Sequence, residues 1–150
     1  MERRKKLLLE LYIGDTSEYS DEYANFTDSD FAELIKIRFT NLGGQSVVIN
    51  PESVKIFALN KTINIHSCDW FGISKIPSPL NTGASCEIGI TTDCFLELLN
   101  FQELDKFCNT DDSLKTVVPI YVSAKDHTGK LFFTNKFKYY YFVNSLERVT

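Results

Sequence analysis

Histidine and cysteine are the residues of this sequence that could support catalysis, and the chain contains two of the first and four of the second. His66 lies two residues before Cys68, and His127 directly follows Asp126. A cysteine beside a histidine can act as a nucleophile, and a carboxylate can orient an imidazole base. Strand neighbours two residues apart produce the first spacing by chance, and a polar turn produces the second. We therefore predict a non-enzymatic protein without catalytic residues. The alternative is a small hydrolase that depends on a Cys/His pair or on a metal.

Metal and cofactor sites have characteristic spacings that this sequence lacks. A structural zinc site needs paired ligands such as C-x₂₋₄-C, and the nearest approach here is His66 with Cys68. The other three cysteines, Cys86, Cys94 and Cys108, follow at unrelated spacings. No G-x-x-x-x-G-K-[ST] motif is present to bind phosphate. We predict no metal and no cofactor, and we interpret the cysteines as free, small apolar side chains.

Aromatic residues are the best candidates for a contact surface, because exposed rings mark protein contact sites. A strand through the run Tyr139-Tyr140-Tyr141-Phe142 must place rings on both of its faces. Trp70 and Phe71 lie beside a connection that prolines interrupt. The predicted partner-binding residues are Trp70, Phe71, Tyr139, Tyr140, Tyr141 and Phe142. Two alternatives stay open: the rings fill the core and cover the N-terminal arm, or basic aromatic strands stack single-stranded nucleic acid.

Charge narrows the class of partner. The net charge of −4 argues against duplex DNA and anionic membranes. Residues 15–33 carry carboxylates and no Lys or Arg, whereas the segment 115–138 is basic. We interpret both runs as solvated surface. The alternative is an acidic arm that folds over the basic hairpin or meets a basic partner. The predicted partner is another protein, or a second copy of this chain.

The first residues superficially resemble a secretion signal, because a basic start precedes Leu7-Leu8-Leu9. Glu10 ends this apolar run after three residues, whereas a signal peptide needs about seven to fifteen. No window approaches the roughly 20 apolar residues of a membrane helix. The predicted location is cytoplasmic.

The clearest structural pattern is a hairpin in residues 116–138. Its first arm alternates apolar residues (Val118, Ile120, Val122, Ala124) with more polar neighbours, and a turn ending at Gly129 follows. Its second arm is predicted to place Leu131, Phe133 and Phe137 on one face, with Thr134, Lys136 and Lys138 on the other. Alternation with a period of two residues on both sides of a polar turn predicts an antiparallel hairpin with one solvent-exposed face.

Other short alternating runs, separated by Gly, Pro and Asn turns, predict further strands. These are residues 35–39, 46–49, 53–59, 62–65, 70–73 and 85–90, while residues 7–13 form a strand or a short helix. Residues 92–108 are predicted to form one helix, capped by Thr91 and packed through Leu98. The predicted fold is mainly β, an antiparallel two-sheet sandwich with one inserted helix. Residues 1–30 form a first element and an acidic arm, and 31–150 form the sandwich as a single folded unit.

Three turns add a family resemblance. They are Asn41-Leu42-Gly43-Gly44 within 34–49, Pro79-Leu80-Asn81-Thr82-Gly83 before 85–90, and the closing hairpin Val118–Lys130. Together they resemble immunoglobulin-like domains of bacterial and phage accessory proteins, over about residues 31–138. The chain departs from the antibody pattern, because no cysteine pair brackets a tryptophan. The resemblance implies an immunoglobulin-like sandwich that binds protein, in a phage accessory role or in host–phage conflict. A structural homo-oligomeric subunit of virion type is the alternative.

Overall fold

Ten strands and one helix make up the part of the chain that the structure, a computed structural model, describes. That part comprises residues 5–15, 33–65, 70–71, 79–99, 117–140 and 145–149. The strands are β1 (Leu7–Asp15), β2 (Glu33–Asn41), β3 (Lys55–Ala58), β4 (Lys61–Asn64), β5 (Trp70–Phe71), β6 (Ser85–Thr91), β7 (Val117–Lys125), β8 (Leu131–Phe133), β9 (Phe137–Tyr140) and β10 (Ser145–Arg148). The helix is α1 (Thr92–Leu98), and Pro51–Ser53 form a single 3-10 turn.

The strands form two antiparallel sheets. One has the order β1-β2-β6-β5, and the other has the order β10-β9-β7-β3-β4, with β8 also paired to β7. One hydrophobic core contains side chains from both sheets, among them Ile37 and Ile88 from the first and Ile56 and Val122 from the second. The predicted mainly β, two-sheet antiparallel fold with one helix is confirmed.

The alternation of apolar residues in β2 explains how the four-stranded sheet covers the core. Ile35, Ile37 and Phe39 are fully buried, as their spacing of two predicts. Residues 7–15, for which the sequence allows a strand or a short helix, form a strand that pairs with β2 along its whole length. The first element therefore belongs to the sandwich.

The helix begins as predicted but packs through different residues. The Thr91 side chain accepts a hydrogen bond from the backbone N–H of Cys94 at 3.3 Å, which caps the first turn. Phe95 and Leu99 are buried, whereas Leu98 is exposed, so the prediction that Leu98 lies on the packed face is wrong. The predicted continuation to residue 108 lies outside the described residues from residue 100 onward.

Residues 46–49 are a crossing segment, and the prediction that they form a strand is wrong. Val47 makes an isolated bridge with Leu80, and Ile49 makes one with Asp126. The two residues thus contact different partners, because the chain here passes from β2 in one sheet to β3 in the other. The preceding turn depends on Asn41, whose buried amide donates to the carbonyls of Gln45 and Leu80, both at 2.7 Å.

A β-bulge divides the second arm of the predicted hairpin into β8 and β9. Ile120 lies opposite Phe137, and Ser123 lies opposite Phe133. The two residues of β7 between these positions therefore face three residues, 134–136. One extra residue on one strand defines a bulge, and it reverses which side chains point inward beyond it.

The bulge corrects the predicted faces of this arm. Leu131 and Phe133 are exposed, at 43% and 55%, while Phe137 is buried. The prediction that all three share the inner face is therefore wrong for the first two. Before the bulge, Phe132 and Thr134 point inward instead. An alternating sequence pattern contains no sign of the added residue.

Thr134 completes the hydrogen bonding at the bulge. Its backbone N–H donates to the Val122 carbonyl, and its hydroxyl accepts from the Val122 N–H, each at 2.8 Å. We expect Thr134→Val to lower the free energy of unfolding by about 1–3 kcal/mol, because the buried Val122 N–H then lacks an acceptor. Urea unfolding measures the change, with the exposed Thr62→Val as the matched control, expected within about 0.5 kcal/mol of the parent. Thr134→Ser retains the hydroxyl and should recover most of the loss. Equal losses for the two valine variants would contradict this role.

Candidate functional site

On the outer face of the four-stranded sheet, the basic side chains form ion pairs with a carboxylate of the same sheet. The Lys36 ammonium lies 3.6 Å from the Glu87 carboxylate, and an Arg38 guanidinium nitrogen lies 3.5 Å from it. The Arg38 guanidinium also lies over the Tyr12 ring, 4.6 Å from its centre. Positive groups on this face therefore already have partners within the chain.

The outer face of the six-stranded sheet carries a row of three aromatic rings. Phe57 and Tyr121 are opposite each other on β3 and β7, and their rings stack at 4.7 Å with 11° between the planes. The Phe133 ring follows at 6.4 Å from Tyr121, tilted by 50°. Side chains opposite each other in an antiparallel pair share a face and contact, which explains the row. Phe133 is more than half exposed, so the row is open at that end.

Four exposed lysines surround the row. Lys55 is two residues from Phe57 on β3, and Lys125 is four residues from Tyr121 on β7. Residues an even number of positions apart in a strand share a face, so both lysines lie on the outer face. Lys138 is opposite Pro119 on β7, and Lys136 borders the groove beside Tyr121. The three ion pairs found between described residues, Lys5–Asp126, Lys36–Glu87 and Arg38–Glu87, do not involve these lysines. We call Phe57, Tyr121, Phe133, Lys55, Lys125, Lys136 and Lys138 the aromatic–lysine face.

Two shallow grooves lie along the aromatic–lysine face. The first has a volume of about 490 Å³ and lies between the β3–β4 turn, Tyr121, Pro119 and Lys136. The second has a volume of about 510 Å³ and lies between Lys55, Lys125 and Phe133. Phe57 lines both grooves, so the aromatic row separates them. Each groove thus combines an apolar wall with an ammonium group at its rim.

The predicted contact set does not include the three rings, although the sequence pattern indicates the outward position of two of them. Tyr121 falls on the solvent-exposed face of the predicted hairpin, and Phe57 alternates with buried Ile56 and Ala58. A ring on the polar side of an alternating strand lies on the outer face of its sheet. The alternating pattern predicts that Phe133 points inward, because the bulge that turns it outward has no sequence signal.

Tyr139, one of the predicted partner-binding residues, lies in the core. It is 1% exposed, and its ring meets Phe95 edge-to-face at 5.8 Å. Burial raises the pKa of the Tyr139 hydroxyl to about 12, and the charges of Glu33 and Asp93 add to this shift. The core position of Tyr139 keeps its ring out of reach of a partner.

The remaining predicted contact residues stay predictions. Tyr140 points outward from β9, opposite Val117, and its hydroxyl donates to the Glu147 carboxylate at 3.0 Å. Trp70 and Phe71 form β5, the edge strand of the other sheet, where the structure describes their backbone. Tyr141 and Phe142 lie outside the described residues. The predicted set is therefore split between the two sheets.

Asp126 has a structural role at the tip of the β7–β8 hairpin. Its Oδ1 atom accepts hydrogen bonds from the Thr128 N–H, the Thr128 hydroxyl and the Lys130 N–H, at 2.6–2.9 Å. Its Oδ2 atom accepts from the Lys5 ammonium at 2.9 Å. Burial alone raises the pKa of this carboxyl, but these hydrogen bonds outweigh it and hold the pKa below its ordinary value. The carboxylate is thus engaged by the turn and by the N-terminal segment, and the neighbouring His127 is an exposed turn residue.

The cysteines that the structure describes are Cys86 and Cys94, both free thiols. Burial, with a smaller effect from the Glu87 charge, raises the pKa of Cys86 to about 11, so at neutral pH it is a protonated and weak nucleophile. His66, Cys68 and Cys108 lie outside the described residues. Among the residues described, no three His, Cys, Asp or Glu side chains group closely enough to hold a metal ion. Within that same part of the chain, no helix has the length and apolar character needed to cross a membrane.

No protein-family model matches this chain, and neither a curated protein nor a solved structure matches it. On the described surface, the aromatic–lysine face combines an open ring, two grooves and positive charge. That combination suits the binding of another molecule over a broad area.

Proposed function

We propose that this chain is a non-enzymatic protein-binding module and that the aromatic–lysine face is its contact surface. The observation that supports this most directly is the row Phe57–Tyr121–Phe133, which leaves a phenylalanine 55% exposed beside lysines on one sheet. Aromatic rings are enriched where proteins contact one another, because a ring buries a large apolar area with little loss of side-chain entropy.

The proposal includes the finer fold and its setting. An immunoglobulin-like sandwich in a bacterial or phage accessory protein, located in the cytoplasm, agrees with the turns that resemble those domains. Asn41 supports this, because its buried amide connects two of those turns through the Leu80 carbonyl. A scaffold fixed in this way presents its outer sheet faces as rigid surfaces.

Affinity purification from the source cells tests the contact surface. The bait is the full chain, and the variant is Phe57→Ser combined with Phe133→Ser. We expect the amount of specifically captured partner, measured by quantitative mass spectrometry, to fall at least about ten-fold, because exposed and half-exposed rings act as contact anchors. The matched control is Leu42→Ser, because Leu42 is 50% exposed and lies in the turn after β2. Equal capture by both variants would reject this face as the contact surface.

A homo-oligomeric structural subunit is the second candidate, because an exposed aromatic row also suits self-association. Light scattering distinguishes the two: a monomer has a mass of 17.2 kDa, and an oligomer has a multiple of it. The enzymatic alternative has a separate test. Stoichiometric zinc, or a thiol with a depressed pKa, would favour a hydrolase over a binding module.

A further inference from the structure

We infer that the partner region bound by the aromatic–lysine face is an extended, acidic peptide segment that also carries apolar side chains. The inference rests on the function proposed above and assigns the chemistry of the partner. Three features of the face lead to it: its excess of positive charge, the arrangement of its rings and the positions of its grooves.

The positive charge of the aromatic–lysine face favours a negatively charged partner. Its four exposed lysines form no ion pair with any described residue. The carboxylates that border it in the described chain are Glu52, at the rim of the second groove, and Glu147, which accepts from the Tyr140 hydroxyl. Positive groups thus outnumber negative ones here, although the whole chain has a net charge of −4. Complementary charge across an interface speeds association and excludes the wrong partners.

The rings favour a peptide over single-stranded nucleic acid. Nucleic-acid binding of this kind stacks successive bases on open ring faces. Phe57 and Tyr121 are already stacked on each other at 4.7 Å, so no base fits between them. Phe133 is exposed, whereas Phe57 and Tyr121 are half-buried, which leaves one open stacking position. An apolar side chain needs no parallel ring face and fits against the edges of such a row.

The two grooves suit an extended chain. They lie on opposite sides of the aromatic row, with Phe57 lining both. Successive side chains of an extended peptide point in opposite directions, so alternate residues can enter the grooves while the others point away. Lys136 stands at the rim of the first groove, and Lys55 and Lys125 stand at the rim of the second. Carboxylates beside the apolar residues of the peptide would reach these ammonium groups.

The inference is tested in two steps, first by selecting peptides that bind the chain and then by reversing the charge of lysines on the face. The probe is a displayed library of random peptides of about twelve residues, long enough at about 3.3 Å per residue to cross both grooves. It is selected against the immobilised full chain. We expect enrichment of Asp and Glu together with Phe, Leu or Trp. Selected peptides that are neutral or basic, or no selection at all, would overturn the inference.

Charge-reversal variants locate the binding. For a selected peptide labelled with fluorescein, we expect Lys55→Glu with Lys125→Glu to raise the dissociation constant at least about ten-fold. Lys6→Glu is the control, because it reverses the charge of an exposed lysine next to β1. The dissociation constant of this variant should stay within about two-fold of the parent value. Binding should also weaken as salt rises from about 50 mM to about 200 mM. Equal effects of the Lys6 and the double variant would overturn the inference.

Fluorescence anisotropy with a labelled single-stranded oligothymidine tests the other class of partner, which is single-stranded nucleic acid. Tight binding of the oligonucleotide that Lys55→Glu with Lys125→Glu abolishes would overturn the peptide inference in favour of nucleic acid. The proposed function fails separately, if a selected acidic peptide binds Phe57→Ser with Phe133→Ser as tightly as it binds the parent. Cellular capture that depends on the rings, without any selection of acidic peptides, would leave the proposed function standing and reject its acidic partner.

Discussion

Replacing Asp126 with alanine is expected to lower the free energy of unfolding by about 3–5 kcal/mol, the usual cost of breaking a buried ion pair. The Asp126 side chain is fully buried, and the Lys5 ammonium beside it is 16% exposed. Without the carboxylate, the backbone N–H groups of Thr128 and Lys130 lose their acceptor. The Lys5 ammonium loses its charged partner and keeps the Thr128 hydroxyl, at 3.0 Å, as an acceptor. Urea unfolding at neutral pH measures the loss. Asp93→Ala, at an exposed carboxylate in the first turn of α1, is the control and should cost about 0.3–1 kcal/mol.

The stabilisation by Asp126 should depend on pH in one direction. Its pKa lies lower in the folded chain than the unfolded value of about 3.9. A group with a depressed folded pKa stabilises the fold fully above its unfolded pKa, and this stabilisation is lost as the pH falls toward the folded pKa. The difference between the parent and Asp126→Ala should therefore narrow from about pH 5 to about pH 3. A difference that stays constant over this range would show that the charge of Asp126 does not support the fold.

Much of the sandwich could be predicted from local alternation. Ile35, Ile37 and Phe39 are spaced by two and fully buried, and Val118, Ile120 and Val122 behave alike. A strand buried on one face requires this spacing, so the pattern identifies the strand and its inner side together. The Thr91 cap was predictable for a similar reason, since its hydroxyl acts on a backbone N–H three residues away.

The bulge could not be predicted in this way. Its extra residue is stabilised by a contact between Thr134 and Val122, which are twelve positions apart. Nothing in the sequence next to Thr134 indicates that its hydroxyl accepts a backbone hydrogen bond inside the sandwich. The inward side of the arm therefore changes at a point where the alternating pattern continues, and Phe133 comes to lie outside. A period-two pattern predicts faces correctly only as far as the pairing register is regular.

The aromatic–lysine face depends on strand order, which a single sequence pattern does not contain. Phe57 and Tyr121 are far apart in the chain and meet because β3 pairs with β7. Phe133 joins them because β8 pairs with the other edge of β7. Each ring could be recognised as aromatic from the sequence. That three of them form one row follows from tertiary pairing alone.

Tyr139 and Tyr140 are neighbours with opposite environments, and truncating each should have very different effects. We expect Tyr139→Ala to lower the free energy of unfolding by about 3–5 kcal/mol, because it removes a buried ring that packs against Phe95. Tyr140→Ala is the matched control, since it removes an outward ring and one hydrogen bond to Glu147. Its expected cost is much smaller, because water replaces the lost partner of an exposed hydrogen bond. Urea unfolding of both variants at neutral pH gives the comparison.

Alkaline pH tests the burial of the Tyr139 hydroxyl independently of its ring. Burial raises its folded pKa to about 12, above the unfolded value of about 10. The neutral hydroxyl therefore contributes stability fully below about pH 10, and this contribution is lost as the pH rises toward the folded pKa. Tyr139→Phe retains the ring without the titration. Its stability relative to the parent should rise between about pH 9 and about pH 11.

These variants also test the register of β9, which places Lys138 on the aromatic–lysine face. Beyond the bulge, inward Tyr139 requires that Lys138 point outward, because adjacent strand residues occupy opposite faces. If Tyr140→Ala proved as costly as Tyr139→Ala is expected to be, and Tyr139→Ala were mild, β9 would be shifted by one residue. Lys138 would then point into the core and leave the aromatic–lysine face. The stability of two adjacent tyrosine variants thus decides whether Lys138 shares a surface with the rings.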